Sequence, residues 1–132
     1  SLPTRRSWVR VPLPAPNRRY MNDLANKKCV PCEGGIPAFD KSEIHKYLKK
    51  VDGWNVEKDE SENFHLIKEF KFENFLDSQS FINKVGNISE NEGHHPDISF
   101  GWGYAKIKIF THAIQGLAES DFILAAKIDE II

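Results

Sequence analysis

Residues 64–97, FHLIKEFKFENFLDSQSFINKVGNISENEGHHPD, change their hydrophobic period once and then stop abruptly. Over 64–72, Phe64, Leu66, Phe70 and Phe72 share one face of an extended chain, with Lys68 the exception, which predicts a half-buried strand. Over 74–91, Phe75, Phe81, Ile82, Val85 and Ile88 recur three and four residues apart, which predicts a long amphipathic helix. Gly93 suits a left-handed helix cap, and Pro96 forbids continuation. The apolar faces of strand and helix both need cover, and each is the natural cover for the other.

The flanking sequence extends this layout. Asp40 and Glu43 are spaced as a capping box, with Phe39 and Ile44 placed as a hydrophobic staple. Ile44, Tyr47, Leu48 and Val51 then form a helical stripe over about 41–50. DGW (52–54) turns the chain, WNVEK (54–58) reads as a short strand, and DESEN as a hairpin loop. DISFGW and YAKIKIFTH give two further strands around Gly103, with Ala105, Ile107 and Ile109 opposed to Lys106 and Lys108. A last helix over 118–131 carries Leu117, Leu124, Ile128 and Ile131 on one stripe. The order α-β-β-α-β-β-α, with hairpin-linked strands, predicts a two-layer α+β domain: a four-stranded antiparallel sheet covered on one face by helices.

A chain of 132 residues is one domain by size. No apolar run approaches the roughly 18 residues needed to cross a bilayer. Net charge is −1, but residues 1–20 hold five arginines and no acid. The remaining 13 basic and 19 acidic residues leave the body at −6, a poor surface for nucleic acid. The Pro- and Arg-rich segment 1–20 lacks the apolar centre of a secretory signal. It reads as non-native or tag-derived sequence before Met21, with upstream translated sequence or a transit-peptide remnant as alternatives. Residues 1–36 are expected as a flexible extension and 37–132 as the folded domain. Cys29 and Cys32 form a CxxC with no second pair and no strand–CxxC–helix context, so reduced cytosolic thiols are the plain reading.

His94 and His95 fall just past the long helix. Its carbonyl end and the acids Glu90, Glu92 and Asp97 favour a positively charged imidazole there. A ring that carries a proton near neutrality and gives it up is a general acid–base group. His112 ends the fourth strand, and Asp121 opens the last helix, so both can reach the same rim of the sheet. A zinc site is disfavoured because adjacent histidines chelate one ion poorly and the HExxH spacing is absent. Nucleophilic catalysis lacks a GxSxG elbow. Inert surface histidines stay open as an alternative, and His45 and His65 take that reading.

ENEGHHPDISFGWGYAKIKIFTHAIQGLAESD resembles the signature of the pterin-4a-carbinolamine dehydratases, through Glu90, His94-His95-Pro96, Trp102, His112 and Asp121 at the family spacings. The resemblance covers about 36–132, including Gly53-Trp54, and KKCVPCEGG is similar to the N-terminal arm of many microbial members. It implies dehydration of 4a-hydroxytetrahydropterin to quinonoid dihydropterin, which recycles tetrahydrobiopterin after aromatic amino-acid hydroxylases. No metal or redox cofactor is implied, since the substrate supplies the electrons. The resemblance implies His94 and His112 as acid–base groups and His95 as an orienting or binding residue. Glu90 and Asp121 would orient imidazoles or bind the pterin, and Trp54 would form pocket wall. It further implies a homodimer or homotetramer and a cytoplasmic location. Animal members add a nuclear role as dimerisation cofactor of a homeodomain transcription factor, which gives a second reading: a binding module with a vestigial pterin site. A dehydratase acting on another pterin is a third. Two positions depart from the family pattern. Gly93 replaces a larger polar residue of animal members, and Ala118 replaces a capping serine at a cost of about 1 kcal/mol, which Ser120 would partly offset.

Overall fold

The computed structural model describes residues 24–29 and 37–132. Its elements are α1 (Lys41–Leu48), β1 (Asn55–Lys58), β2 (Phe64–Lys71), α2 (Phe75–Glu92), β3 (Asp97–Gly101), β4 (Tyr104–Ile109), a 3-10 turn (His112–Ile114) and α3 (Glu119–Asp129). The expected order is borne out. The sheet runs β1-β2-β4-β3 with every neighbouring pair antiparallel. On β4 the inward Ala105, Ile107 and Ile109 are buried while Tyr104 and Lys106 are exposed, so the helices cover one face and leave the other open.

Local chemistry sets the helix ends. Asp40 accepts the Glu43 N–H at 2.9 Å, and Asn74 accepts the Asp77 N–H at 2.8 Å. At the far end of α2, Gly93 adopts φ 65°, ψ 27°, a conformation a side chain would strain. The His94 N–H then returns to the Ser89 carbonyl at 3.1 Å, so the helix end itself fixes the backbone of the first histidine.

Three packing details differ from the sequence reading. On α2, Phe75 is largely exposed, and the buried stripe is Ser78, Phe81, Val85 and Ser89. The two serines fit because their hydroxyls bond back to the Asn74 and Val85 carbonyls. Lys68, on the covered face, ion-pairs with Asp129 at 2.8 Å and donates to the Asp52 carbonyl at 2.6 Å. Finally, α3 is buried on nearly every side. Its Phe122 meets Phe39 and Tyr47, and Leu24 and Ala25 join the same core.

That last contact alters the picture of the N-terminal extension. Residues 24–29, placed by sequence in a flexible arm, lie against the body. Leu24 and Ala25 bury their side chains, and Lys127 donates to the Ala25 carbonyl at 2.6 Å. Segment 1–20 and Cys32 lie outside the described residues. Among the described residues, no helix is long and apolar enough to cross a membrane.

Candidate active site

Asp121 is the centre of the arrangement. It lies in the first turn of α3 and is wholly buried, a costly place for a carboxyl unless donors surround it. Three do. Oδ1 faces His94 Nε2 at 2.7 Å, and Oδ2 accepts from Thr111 Oγ1 and from the Ala118 N–H, both at 2.8 Å. The Ala118 bond answers the missing serine cap: Asp121 reaches back from its own first turn to the N-terminal N–H. The N-terminal end of the helix also favours negative charge there. One side chain therefore caps a helix, ties it to the end of β4 and orients an imidazole.

With Nε2 directed at Asp121, Nδ1 is the His94 nitrogen left for chemistry. It is an acceptor when the ring is neutral and a donor when the ring is protonated. His94 reaches Asp121 across 27 positions because the α2 cap and the β4–α3 connection meet at one rim. His95 meets a different carboxylate, Glu90 at 3.0 Å, and both partners are exposed. The adjacent rings thus go to different carboxylates. Among the described residues, no three His, Cys, Asp or Glu side chains are grouped to hold a metal ion.

His112 is presented by a tight loop. Thr111 and Gly116 exchange backbone hydrogen bonds at 2.9 and 3.3 Å, and Gln115 takes a left-handed conformation at φ 52°. A Cβ at Gly116 would come within 2.8 Å of the Ala38 Cβ, so only glycine permits this approach. The His112 ring lies 4.2 Å, centroid to centroid, from Phe110. His94, His95 and His112 line one cleft of about 440 Å³ with Phe110, Thr111 and Cys29. That volume is within the usual small-molecule range of about 300–1,000 Å³.

Trp54 is not brought to this cleft. It is buried with its ring edge-on to Phe70 at 6.1 Å, and Nε1 donates to Asp129 at 3.1 Å. Asp129 lies eight residues beyond Asp121 on α3, about 12 Å along the helix axis. The expectation of Trp54 as pocket wall is corrected accordingly: its polar edge is used by a partly buried carboxylate at the far end of α3. Thr111, Phe110 and Cys29 were missed from sequence. Thr111 immediately precedes His112, but nothing local shows that its hydroxyl would meet a helix residue ten positions later.

Burial and the nearby Glu92 carboxylate push the Cys29 thiol up to about 12, so it is no nucleophile in this setting. Glu92 moves the other way. The Cys29 N–H, at 2.9 Å, is the main cause holding its carboxyl below the ordinary range, and Lys127 adds to it.

Fold and site together define a class: a two-layer α+β domain whose sheet rim carries a cleft of histidines braced by buried carboxylate. The chain belongs to the family described as pterin 4 alpha carbinolamine dehydratase, whose model matches residues 37–131. A protein of Rubrobacter xylanophilus, named provisionally for the same family, is 46% identical over 111 residues, covering 84% of this chain and 100% of that protein. A similarly named protein of Alkaliphilus metalliredigens is 48% identical over 111 residues, covering 83% of this chain and 96% of that one. The crystal structure of a transcriptional coactivator/pterin dehydratase from Brucella melitensis is similar at TM-score 0.64 and 26% identity, covering 71% of this chain and 97% of that chain. A pterin dehydratase-like protein identified as a RuBisCO assembly factor in the alpha-carboxysome is similar at TM-score 0.51 and 28% identity, covering 60% and 88%.

Proposed function

We propose that this chain dehydrates a 4a-hydroxytetrahydropterin to the quinonoid dihydropterin and water by histidine acid–base catalysis, and so recycles a tetrahydropterin cofactor such as tetrahydrobiopterin. The observation that carries the proposal is the His94–Asp121 contact of 2.7 Å at the wall of the cleft. A buried carboxylate fixes the ring's orientation and stabilises the imidazolium that proton transfer creates.

In the reaction the C4a–O bond breaks, the N5 lone pair forms the C4a=N5 double bond, and N5 gives up its proton. The hydroxyl leaves as water after receiving a proton. One group must therefore donate at oxygen and one must accept at nitrogen. His94 and His112, from two different segments that line the cleft, are assigned these two roles. His95, held by Glu90 at the exposed rim, is assigned to binding and orienting the pterin.

The test is the double variant His94→Ala, His112→Ala. It should lose acceleration of carbinolamine dehydration by about a hundredfold or more while keeping the wild-type circular dichroism spectrum. Turnover near wild type in a folded double variant overturns the assignment.

Similarity to the transcriptional coactivator/pterin dehydratase of Brucella melitensis favours a second reading, a partner-binding module that also self-associates. Trp102, 71% exposed at the β3–β4 turn, and the exposed Leu76 suit such contacts. Capture of a protein partner by a chain with no rate enhancement would favour this reading over the enzyme.

A further inference from the structure

Glu92 is the last residue of α2, two positions before His94, and its side chain is only 10% exposed. A carboxylate at a helix C-terminus meets the negative end of the helix dipole and needs compensation. It accepts the Cys29 N–H at 2.9 Å and faces Lys127 Nζ at 3.5 Å. Lys127, from α3, simultaneously donates to the Ala25 carbonyl at 2.6 Å. The arm is thus pinned at two backbone points, one by each member of a single ion pair. Beyond the pinned point, Cys29 Sγ reaches the Ser120 carbonyl at 3.5 Å, beside Asp121. Cys29, Glu92 and Ser120 all line the cleft that holds the three histidines.

We propose that Glu92 is a positioning residue that fastens the arm 24–29 over the rim of the histidine cleft, so that the arm completes the wall against which the pterin is held. The proposal rests on the dehydratase reading for its substrate. It goes beyond that reading in making the arm part of the binding site. The chemistry asks for such a wall. Dehydration needs the C4a hydroxyl and N5 placed between two proton-transfer groups, and an open cleft lets a flat bicyclic ring slide. A clamp two residues from His94 couples closure of that wall to the segment carrying the general acid–base ring.

The experiment uses the full chain with Glu92→Ala and Glu92→Gln, measured in two ways. The first is steady-state kinetics on 4a-hydroxytetrahydropterin. The second is the rate at which trypsin cuts after Lys27 or Lys28, read by mass, which needs no catalytic activity. Glu92→Ala should raise KM about tenfold with kcat within about twofold, and raise cleavage at least tenfold, the order expected for loss of one charge-assisted hydrogen bond. Glu92→Gln keeps an acceptor for the Cys29 N–H but loses the pairing with Lys127, so it should fall between. Cleavage faster with KM unchanged would make the clamp merely structural and overturn the proposal. So would an unchanged cleavage rate, or a fall in kcat at constant KM. A wild-type chain without dehydratase activity would refute the dehydratase reading and, with it, the pterin-wall role of the arm. The trypsin rates would still decide whether Glu92 fastens the arm.

Discussion

The two ends of α3 use the same device for different purposes. At the N-terminal end, buried Asp121 faces an aromatic ring nitrogen, His94 Nε2. At the C-terminal end, Asp129 faces another, Trp54 Nε1. Each carboxyl also holds a backbone N–H, from Ala118 and Asp52 respectively. The difference is the ring. Imidazole exchanges protons near neutral pH and lies on a cleft, whereas indole only donates and is sealed between β2 and α3. A buried carboxylate is therefore not in itself a sign of catalysis. What it orients, and whether substrate can reach it, decides the outcome.

Substitutions at the two ends should separate stability from turnover. The largest effect is expected from Asp129→Ala, which takes the counter-charge from the poorly exposed Lys68 ammonium and the acceptor from the Trp54 N–H. It should cost about 3 kcal/mol of stability, measured by urea denaturation, with kcat at a permissive temperature within about twofold of wild type. A large loss of kcat in the still-folded protein would tie the far end to catalysis. Next comes Asp121→Asn, which keeps the shape but can present an amide N–H to His94. It should lower kcat by about a hundredfold, and an unchanged kcat would reduce the N-terminal end to a structural copy of the other.

Trp54→Phe sharpens the contrast further. It removes one donor to Asp129 and some ring volume, costing about 1–2 kcal/mol, and should leave KM unchanged. A raised KM without loss of stability would return Trp54 to the pterin site.

The smallest expected effect is in the pH dependence of stability. Burial raises the Asp129 carboxyl above its ordinary range, against the opposing pull of Lys68. The folded state then holds that proton more tightly than the unfolded chain does. Its contribution is greatest below the ordinary carboxylate range and declines as pH rises towards the raised folded value. Glu92, lowered mainly by the Cys29 N–H, has the opposite sign: its contribution is present above the ordinary glutamate range and is lost as pH falls through the depressed value. Denaturation midpoints over an acidic pH series should show the Asp129→Asn slope shifting one way and the Glu92→Gln slope the other.

Much of the architecture was legible in the sequence because each element announces itself by a change of period or a local cap. The strand at 64–72, the helix at 74–91 and the break at Gly93 all follow from nearest-neighbour chemistry. The packing of α3 was less legible. A stripe of Leu117, Leu124 and Ile128 shows one apolar face, but Ala125 and Ala126 become buried only because other segments close over them. Leu24 and Ala25 carry no periodic signal among polar neighbours, so sequence alone could not show that this part of the arm docks on the body. At the site, His94, His112 and Asp121 were recognisable through the family pattern, but that Asp121 meets His94 was not, because the contact spans 27 positions. Trp54 was misplaced because its deciding partner, Asp129, is 75 positions away and belongs to no local motif.

The most direct measurement is stopped-flow formation of quinonoid dihydropterin from 4a-hydroxytetrahydropterin, with and without the intact wild-type chain. A chain whose histidine cleft carries the proton transfers should accelerate dehydration by about a hundredfold or more over the spontaneous reaction at neutral pH. A rate indistinguishable from the spontaneous one, in a folded preparation, would contradict the account.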